Sequence, residues 1–474
     1  MDYLARNRQH VLVCDHRLVV RADPKTTYCR EGREKFKMTR ARIDGQYLLM
    51  LGSLAFILLG VALEYAARAP FVDFRGLYYP AQCLLQERDP YMQSEVLSIY
   101  RAEGGDHPTD YANERQTATR YVYPPTSFIF TVPFAMLPWG AAHILWMVLI
   151  IGSYILASVL IWNLGANDAP LVSGILIGFF LANSVLLVIA GNAAGIAISL
   201  CLVAVWCFLR ERFVPAGILC LALSLAIKPH DTGLVWFYFL LAGGVLRKRA
   251  WQTLLATVAL SLPAVLWVWQ VSPHWIQELN SNILANAAHG AINDPGIASS
   301  GGHGVDMLIS LQTVVSFFRD DPRIYNSVSY LICAPLLAVW AFVTMRSRLS
   351  PKLVWLALAA ISALTMLPIY HRLYDAKLLL LTVPACAMLL AEGGLIGRLA
   401  LVLNSAAFVL TGDLSWGIIL GIIRHLHVPA TGLSAQMVIA AQAFPVPLIL
   451  LVLGVFYLWI YVRRCSIHDT PQPV

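Results

Sequence analysis

The stretch YLLMLGSLAFILLGVALEYA, from Tyr47 to Ala66, is a nearly unbroken apolar run, and it decides the fold class. About 20 such residues in a helix cross roughly 30 Å of hydrocarbon. Similar runs recur along the 474-residue chain, which is 58% hydrophobic and only 13% charged. A soluble domain has about 25% charged residues. The sequence therefore predicts an all-α polytopic membrane protein.

Basic clusters orient the predicted spans, because cytoplasmic connections of membrane proteins are enriched in Lys and Arg. The segment 123–138 is short for a crossing, and a crossing there would place Arg210-Glu211-Arg212 on the outer side. We therefore expect it to lie at the outer interface. The arrangement that results has roughly 12 transmembrane helices and both termini inside. The predicted spans are 47–66, 141–164, 171–190, 192–210, 214–227, 232–245, 254–271, 328–344, 353–367, 376–391, 395–410 and 437–462.

The chain divides into two predicted membrane modules with a tail at each end. The first 46 residues carry eleven Lys and Arg, without an apolar region beside a small-residue cleavage site, which predicts a basic cytoplasmic tail that need not be ordered and not a signal peptide. The net charge of +7 comes from basic residues at span ends, so membrane lipid is expected around the chain and no nucleic acid. The predicted parts are the tail 1–46, a module at 47–250 with outer loop 67–140, a module at 251–463 with outer loop 272–326, and the tail 464–474.

The predicted outer loops differ in kind from the inner connections. Inner connections are short and basic, whereas the outer segments 67–123, 272–326 and 411–436 carry aromatic, acidic and His residues. Functional residues are disproportionately found in such loops. We therefore expect the functional site to face outward.

The motifs present predict no cofactor. The sequence lacks a Walker-type phosphate loop, a GxGxxG fingerprint, a CxxC pair and the Cys/His spacing of a zinc site, so nothing predicts a nucleotide, a redox cofactor or a metal. Of nine cysteines, only Cys83 falls in a predicted outer segment, which excludes an outer disulfide framework.

Asp73 is the first candidate functional residue, in the stretch FVDFRGLYY (71–79) just beyond the first span. One interpretation is an N-cap, in which the carboxylate accepts hydrogen bonds from free backbone N–H groups. The other is a catalytic carboxylate at the mouth of an intramembrane cavity. The following residues predict an amphipathic interfacial helix, which carries Arg75 and Tyr78, and Tyr123 lies further along the same outer segment. We take these three residues as candidate substrate contacts.

Lys228 and His230 join two predicted spans of only about 14 residues, which is short for a crossing. Their junction is therefore expected to line a polar depression within the membrane. A cation is costly there unless it faces a cavity or an anionic partner. The two interpretations are an interfacial turn with a snorkelling lysine and a cation that binds phosphate.

A second polar group follows span 9 on the same predicted face, in Tyr370-His371-Arg372-Leu373-Tyr374-Asp375. Polar residues are common at span ends, but His371, Arg372 and Asp375, with the two tyrosines of this stretch, together offer a proton donor, a phosphate clamp and hydroxyl contacts. Asn192, after span 3, is a candidate either to hydrogen-bond a sugar or to cap the next helix.

The order of these motifs resembles a known family. In sequence they are Asp73, Asp89-Pro90-Tyr91, Tyr123-Pro124-Pro125, Pro133-Phe134-Ala135-Met136-Leu137-Pro138, residues 142–146, Gly191-Asn192 and Ala226-Ile227-Lys228-Pro229. Over residues 47–249, and again over 367–384, the chain resembles glycosyltransferase family 87, the membrane mannosyltransferases of the GT-C fold that use polyprenyl-phosphate sugars.

The resemblance implies a GT-C-like first module and an inverting transfer at the outer (periplasmic) face of the inner (plasma) membrane. The implied donor is a polyprenyl-phosphate sugar, the implied acceptor is a lipid or glycan hydroxyl, and the implied general base is Asp73. Such a donor is already activated, so the enzyme needs a base and positive charge for the departing phosphate, and strictly neither a nucleotide-binding domain nor a metal. Lys228, His371 and Arg372 are the candidates for that charge.

The sequence departs from the family's pattern at two places. It has Gly191-Asn192-Ala193-Ala194 where Gly-Gln-x-Asn is common, and Ser310-Leu311-Gln312-Thr313 where Asn-Gln-Ser is common. The sugar contacts of those two motifs are therefore not carried over.

Two other classes of function stay open from the sequence. A transporter or lipid flippase predicts internal repeats and polar residues near the middle of the membrane. A non-catalytic membrane subunit of envelope assembly predicts that no single outer carboxylate matters. An assay of sugar transfer from a polyprenyl-phosphate donor would distinguish a glycosyltransferase from these two other classes.

Overall fold

The computed structural model describes residues 24–67, 71–103, 120–296, 308–347, 350–425, 437, 440–441 and 443–468. The predicted tails therefore lie partly outside the described residues, as do parts of the predicted outer loops. In the described part of the N-terminal tail, the first helix begins at Pro24, so residues 24–46 continue the first span as one helix.

The described part of the chain is helical, with one isolated antiparallel bridge between Leu308 and Arg372. The helices of the N-terminal half are α1 (Pro24–Ala66), α2 (Val72–Leu85), α3 (Gln93–Ala102), α4 (Phe128–Ala135), α5 (Trp139–Gly165), α6 (Pro170–Ala182), α7 (Leu186–Ala190), α8 (Ala194–Arg210), α9 (Val214–Ile227) and α10 (Pro229–Ala242). Those of the C-terminal half are α11 (Gly244–Val271), α12 (Trp275–Ala287), α13 (Leu311–Phe318), α14 (Pro322–Arg346), α15 (Pro351–Leu364), α16 (Thr382–Glu392), α17 (Gly394–Leu410), α18 (Asp413–His425) and α19 (Pro445–His468).

The fold class predicted from the sequence is confirmed. Among the described residues, six helical segments are long and apolar enough to cross a membrane, and five shorter apolar helices accompany them. Many apolar side chains of the long helices face outward; Leu255 in α11 and Leu331 in α14 are 68% and 76% exposed. An apolar exterior of this kind suits hydrocarbon surroundings. The total of roughly 12 spans stays a prediction.

Two short features predicted from the sequence are present in the structure. The predicted interfacial segment contains only a short 3₁₀ turn, Pro125–Ser127, and α4. The predicted junction of two 14-residue spans is present at Lys228, between α9 and α10. Pro229 explains the break, because a residue before proline is disfavoured in the α region, and Lys228 has φ −148° and ψ 76°.

Other spans are interrupted where apolar periodicity predicted continuous helices. The span at 171–190 is split at Asn183 into α6 and α7, because Asn183 Oδ1 accepts a hydrogen bond from the backbone N–H of Leu414 (2.7 Å) at the start of α18. The span at 376–391 starts as a 3₁₀ helix, Asp375–Leu381, before α16. The last long helix begins at Pro445, eight residues later than predicted.

Close helix packing places the first span against the rest of the molecule. α1 and α6 meet at Gly52 and Gly178, where a Cβ on Gly52 would overlap the backbone of Gly178. Small residues allow this approach, which is typical of helix contacts in membranes. After α1 the chain returns as α2.

The α2 helix is more buried than an interfacial helix with one apolar face. Gly76, Tyr79 and Cys83 are buried in addition to the predicted apolar face. Phe74 stacks on Trp146 of α5 with ring centroids 4.3 Å apart, and the backbone N–H of Phe71 donates to Ile189 of α7 (2.8 Å). These contacts hold the start of α2 against the ends of α5 and α7.

Candidate active site

A cavity of about 360 Å³ lies where the start of α2, the turn after α7, the Lys228 junction and residues 370–374 meet. Its volume falls within the range of about 300–1,000 Å³ that is common for small-molecule sites. Six sequence-predicted residues line it, namely Asp73, Tyr123, Asn192, Lys228, His230 and Arg372. Residues far apart in sequence therefore share one cavity.

Asp73 faces this cavity from the first turn of α2. The N-cap of that helix is Phe71, in a left-handed conformation (φ 59°), so the N-cap interpretation of Asp73 is wrong. The Asn192 side-chain amide instead donates to Asp73 Oδ2 at 2.7 Å. Burial raises the pKa of the Asp73 carboxyl, and this outweighs the opposing effects of the Asn192 hydrogen bond and the charges of Arg372 and Lys228. A carboxylate with a raised pKa is a stronger base.

Asn192 is held in place by the glycine that precedes it. Gly191 has φ +63° and packs so closely on the Phe71 ring that a Cβ would overlap it. Its carbonyl accepts a hydrogen bond from Trp146 Nε1 (2.9 Å). Asn192 Oδ1 accepts from the backbone N–H of Ala194 (2.8 Å), the first residue of α8, while its amide orients Asp73; the N-cap of α8 is Ala193.

Lys228 lies at the floor of the cavity with only 3% of its surface exposed, so the snorkelling interpretation is wrong. Its Nζ lies 2.6 Å from Asp375 Oδ1 and 3.2 Å from Asp231 Oδ2. Burial disfavours the ammonium ion, but the two carboxylates more than offset this and raise the Lys228 pKa. Lys228 therefore keeps its charge at the cavity.

Arg372 is fixed by contacts with its own loop and with the preceding outer loop. Its Nε donates to Tyr370 Oη (2.5 Å), and its Nη2 donates to the Ile292 carbonyl (3.0 Å) and to Asn293 Oδ1 (3.3 Å). Its backbone N–H donates to Asp375 Oδ2 (2.8 Å). The guanidinium is thus held rigidly beside the same cavity as Lys228.

His371 and Asp375 lie next to the cavity but are not among the residues that line it in the described part of the chain. Asp375 joins Lys228 to the backbone of Arg372, so it orients both cations. His371 is fully buried, and its Nε2 lies 3.7 Å from Asp231 Oδ1. His230, Asp231 and His371 each place one atom of a type that binds metals in this region. The three atoms lie within 4.8 Å of one another.

Two sequence candidates lie away from the described lining of the cavity. The Tyr78 hydroxyl donates to the Leu137 carbonyl (2.9 Å), and the side chain is 1% exposed. The Arg75 guanidinium lies over the Trp139 ring, 5.5 Å from its centroid. Both residues pack α2 against the neighbouring helices.

Tyr370 and Tyr374, from the predicted polar motif that contains Arg372, also line the cavity. The cavity contains three further polar residues that the sequence did not single out, Arg120, Asn286 and Asn293. Arg120 and the two asparagines come from separate outer loops, and Arg120 Nη1 donates to Asn286 Oδ1 (3.3 Å). No local motif marks them, because only the folded chain brings these loops together.

A comparison with known families adds an independent finding. A family model described as "Glycosyltransferase family 87" matches residues 121–368, which is more than half of the chain. The match includes Tyr123, Asn192, Lys228 and His230, while Asp73 lies outside it. No curated protein and no solved structure matches the chain.

Proposed function

The chain belongs to glycosyltransferase family 87 and is a multi-pass membrane glycosyltransferase, and from this premise we propose that it transfers a sugar from a polyprenyl-phosphate donor to an acceptor hydroxyl. The proposed sugar is mannose, and the proposed acceptor is a lipid or glycan at the outer face of the inner membrane. The transfer inverts the anomeric carbon.

One observation carries the proposal: a carboxylate and two cations line the same cavity. Asp73 has a raised pKa, which suits a general base, while Lys228 and Arg372 are held by buried partners. Fixed cations stabilise the charge that develops on a departing phosphate. An activated lipid-phosphate donor needs these two features at its reacting centre.

The proposed reaction is a single displacement. Asp73 removes the proton from the acceptor hydroxyl as its oxygen attacks the anomeric carbon, and the bond from that carbon to the phosphate oxygen breaks. The electron pair of the broken bond stays on polyprenyl phosphate, whose charge Lys228 and Arg372 neutralise. Attack opposite the departing phosphate inverts the anomeric centre. Asp73 afterwards releases the proton to water.

The distribution of basic residues supports an outer location for the site. The ends of α8 and α11 that lie away from the Lys228 junction carry Arg210 and Arg249, and Arg249 Nη2 lies 3.3 Å from Glu211 Oε1. Lys352 and Arg464 pair with Glu392 at the ends of α15, α16 and α19. By the positive-inside rule this end is cytoplasmic, which leaves the cavity on the other side.

The test is a transfer assay with the purified protein in lipid vesicles. Radiolabelled polyprenyl-phosphate mannose is offered with a membrane-lipid acceptor fraction, and a nucleotide sugar carrying the same label serves as the control donor. We expect labelled product from the lipid donor and none from the nucleotide sugar. Movement of the donor across the bilayer without product would favour a flippase, and neither activity would favour a non-catalytic subunit.

A further inference from the structure

We propose that His230, Asp231 and His371 form a binding site for one divalent transition-metal ion, with zinc or cobalt as the matching probes. The site lies directly behind the Lys228 junction and touches the cavity through His230. Neither the family nor the motifs of the sequence assign a metal there. Metal binding itself does not depend on the identity of the sugar donor.

The distances between the ligand atoms suit a shared cation. His230 Nε2 lies 3.2 Å from Asp231 Oδ1, and His371 Nε2 lies 3.7 Å from the same oxygen. Zinc binds nitrogen and oxygen at about 2.0–2.2 Å, which puts neighbouring ligand atoms roughly 3.3–3.5 Å apart in a tetrahedral site. All three ligand atoms lie within 4.8 Å of one another, so side-chain rotation that draws them together reaches that spacing.

The ligand atoms are buried without hydrogen bonds of normal geometry. Among the described residues, this holds for His230 Nε2, His371 Nε2 and both Asp231 side-chain oxygens, although Asp231 Oδ2 has Lys228 Nζ at 3.2 Å. The Asp231 and His371 side chains are each 1% exposed. Leaving buried polar groups unsatisfied destabilises a folded protein. A cation at their common centre satisfies three of these atoms at once.

The orientation of His371 points to the same conclusion. Its Nδ1 lies 3.1 Å from the carbonyl oxygen of Ile369, which can only accept, so Nδ1 carries the hydrogen. In the neutral ring Nε2 then presents a lone pair to a carboxylate oxygen, an unfavourable contact unless a positive charge lies between them. Metal-bound histidines commonly donate their other ring N–H to a carbonyl in this way.

Lys228 does not remove the need for a cation. Its closer partner is Asp375, at 2.6 Å, while Asp231 lies at 3.2 Å without hydrogen-bond geometry. One ammonium ion therefore serves two buried carboxyl groups, which leaves room for one further cation or for a proton on Asp231. The competing arrangement is a proton on Asp231 and no metal, which the experiment below distinguishes.

The ligand set indicates the class of metal and its open side. Two imidazoles and one carboxylate suit first-row ions such as zinc, cobalt or iron, and three protein ligands leave a position open. The His230 side chain is 36% exposed, so the open position is expected to face the cavity. That this position takes a phosphate oxygen of the donor rests on the proposed function.

The test is cobalt binding to the purified full-length protein in lipid after treatment with a chelator. We expect about one cobalt ion per chain, visible absorption typical of nitrogen and oxygen ligands, and no thiolate charge-transfer band. Asp231→Asn and His371→Gln should abolish binding. His230→Gln, at the most exposed ligand, should weaken it at least tenfold and keeps the assay informative if the buried variants unfold.

His289→Gln is the matched control, because His289 also pairs with a carboxylate, Asp294 (3.0 Å), outside this cluster. It should leave cobalt binding unchanged. No binding to the wild-type protein, a thiolate spectrum, or unchanged binding in His230→Gln overturns the metal site. If the protein transfers sugar but binds no cobalt, the metal site is wrong and the proposed function stands. If it binds cobalt but transfers no sugar, the metal site stands and the proposed function is wrong.

Discussion

The two ends of the helical bundle treat charge differently. At the cavity end, Lys228 is buried at 3% exposure between Asp231 and Asp375. At the opposite end, Lys352 is 64% exposed and pairs with Glu392, which also binds Arg464. Exposed pairs contribute about 0–1 kcal/mol, whereas buried charges carry a large desolvation cost. The Lys228 cluster therefore bears a desolvation cost that the Lys352 pair does not, and buried ionisable groups of this kind are commonly found at functional sites.

The largest expected effect is on catalysis at the cavity end, in Asp73→Asn. Asn can still accept the Asn192 hydrogen bond, but it cannot take the acceptor's proton. Loss of a general base costs about 10²- to 10⁴-fold in rate. We expect the sugar-transfer rate to fall by that factor, with thermal unfolding close to that of the wild type. Asp89→Asn is the control, because Asp89 Oδ1 accepts from the Tyr91 N–H (2.8 Å) and its variant retains that acceptor. Equal rates for wild type and Asp73→Asn would show that Asp73 is structural.

The difference between the two ends of the bundle is tested by comparing the variants Lys228→Met and Lys352→Met. Removing Lys228 leaves two buried carboxylates without their cation, and breaking a buried pair costs about 3–5 kcal/mol. Removing Lys352 should cost less than about 1 kcal/mol. Thermal unfolding in lipid measures both, and donor binding should weaken only in Lys228→Met. Similar melting temperatures for the two variants would contradict the difference between the two ends.

A smaller effect is expected from Arg372→Lys. Lysine keeps the charge but cannot reproduce the forked contacts with Tyr370, Ile292 and Asn293. We expect roughly tenfold weaker donor binding, since a hydrogen bond to a charged group contributes about 1.5–3 kcal/mol. The control is Arg464→Lys at the opposite end, which should bind donor normally. Full affinity in Arg372→Lys would remove Arg372 from phosphate recognition.

The acid limb of the pH–rate profile tests the environment of Asp73. A general base works deprotonated, and burial raises the Asp73 pKa, so the rate should fall with decreasing pH at values above the usual range of an aspartate. Asn192→Ser removes the hydrogen bond to the carboxylate but retains a hydroxyl able to accept from the backbone N–H of Ala194. The bond lowers the pKa of Asp73, so its loss should move the acid limb to higher pH. An acid limb at the same pH in wild type and Asn192→Ser would show that Asn192 does not influence the pKa of the general base.

The smallest effect is expected in Tyr78→Phe. The lost hydroxyl bonds the Leu137 carbonyl, which costs about 1 kcal/mol of stability, and Tyr78 lies outside the described lining of the cavity. The transfer rate should stay within about twofold of the wild-type rate. This is a small change, because a tenfold change in rate corresponds to about 1.4 kcal/mol of activation free energy. A large loss of rate without a loss of stability would return Tyr78 to the group of substrate contacts.

Sequence reasoning succeeded where the signal is local. Apolar runs predicted the helices, and the short α9 and α10 helices with Pro229 predicted their junction. It failed where a polar side chain serves a distant element. Asn183 ends α6 because its side chain caps α18, more than 200 residues later. The N-cap interpretation of Asp73 failed for the same reason, since its partner is Asn192.

The sequence by itself determined that this chain is an all-α membrane protein, that it resembles a glycosyltransferase family, and that Asp73, Lys228 and Arg372 are candidates for chemistry. These conclusions rest on composition, periodicity and motif order, which are properties of neighbouring residues. Only the tertiary structure decided that Lys228 pairs with Asp375, 147 positions away, that His371 faces Asp231, and that Tyr78 packs away from the cavity. Such contacts depend on how helix ends meet in three dimensions, and no local pattern encodes that meeting.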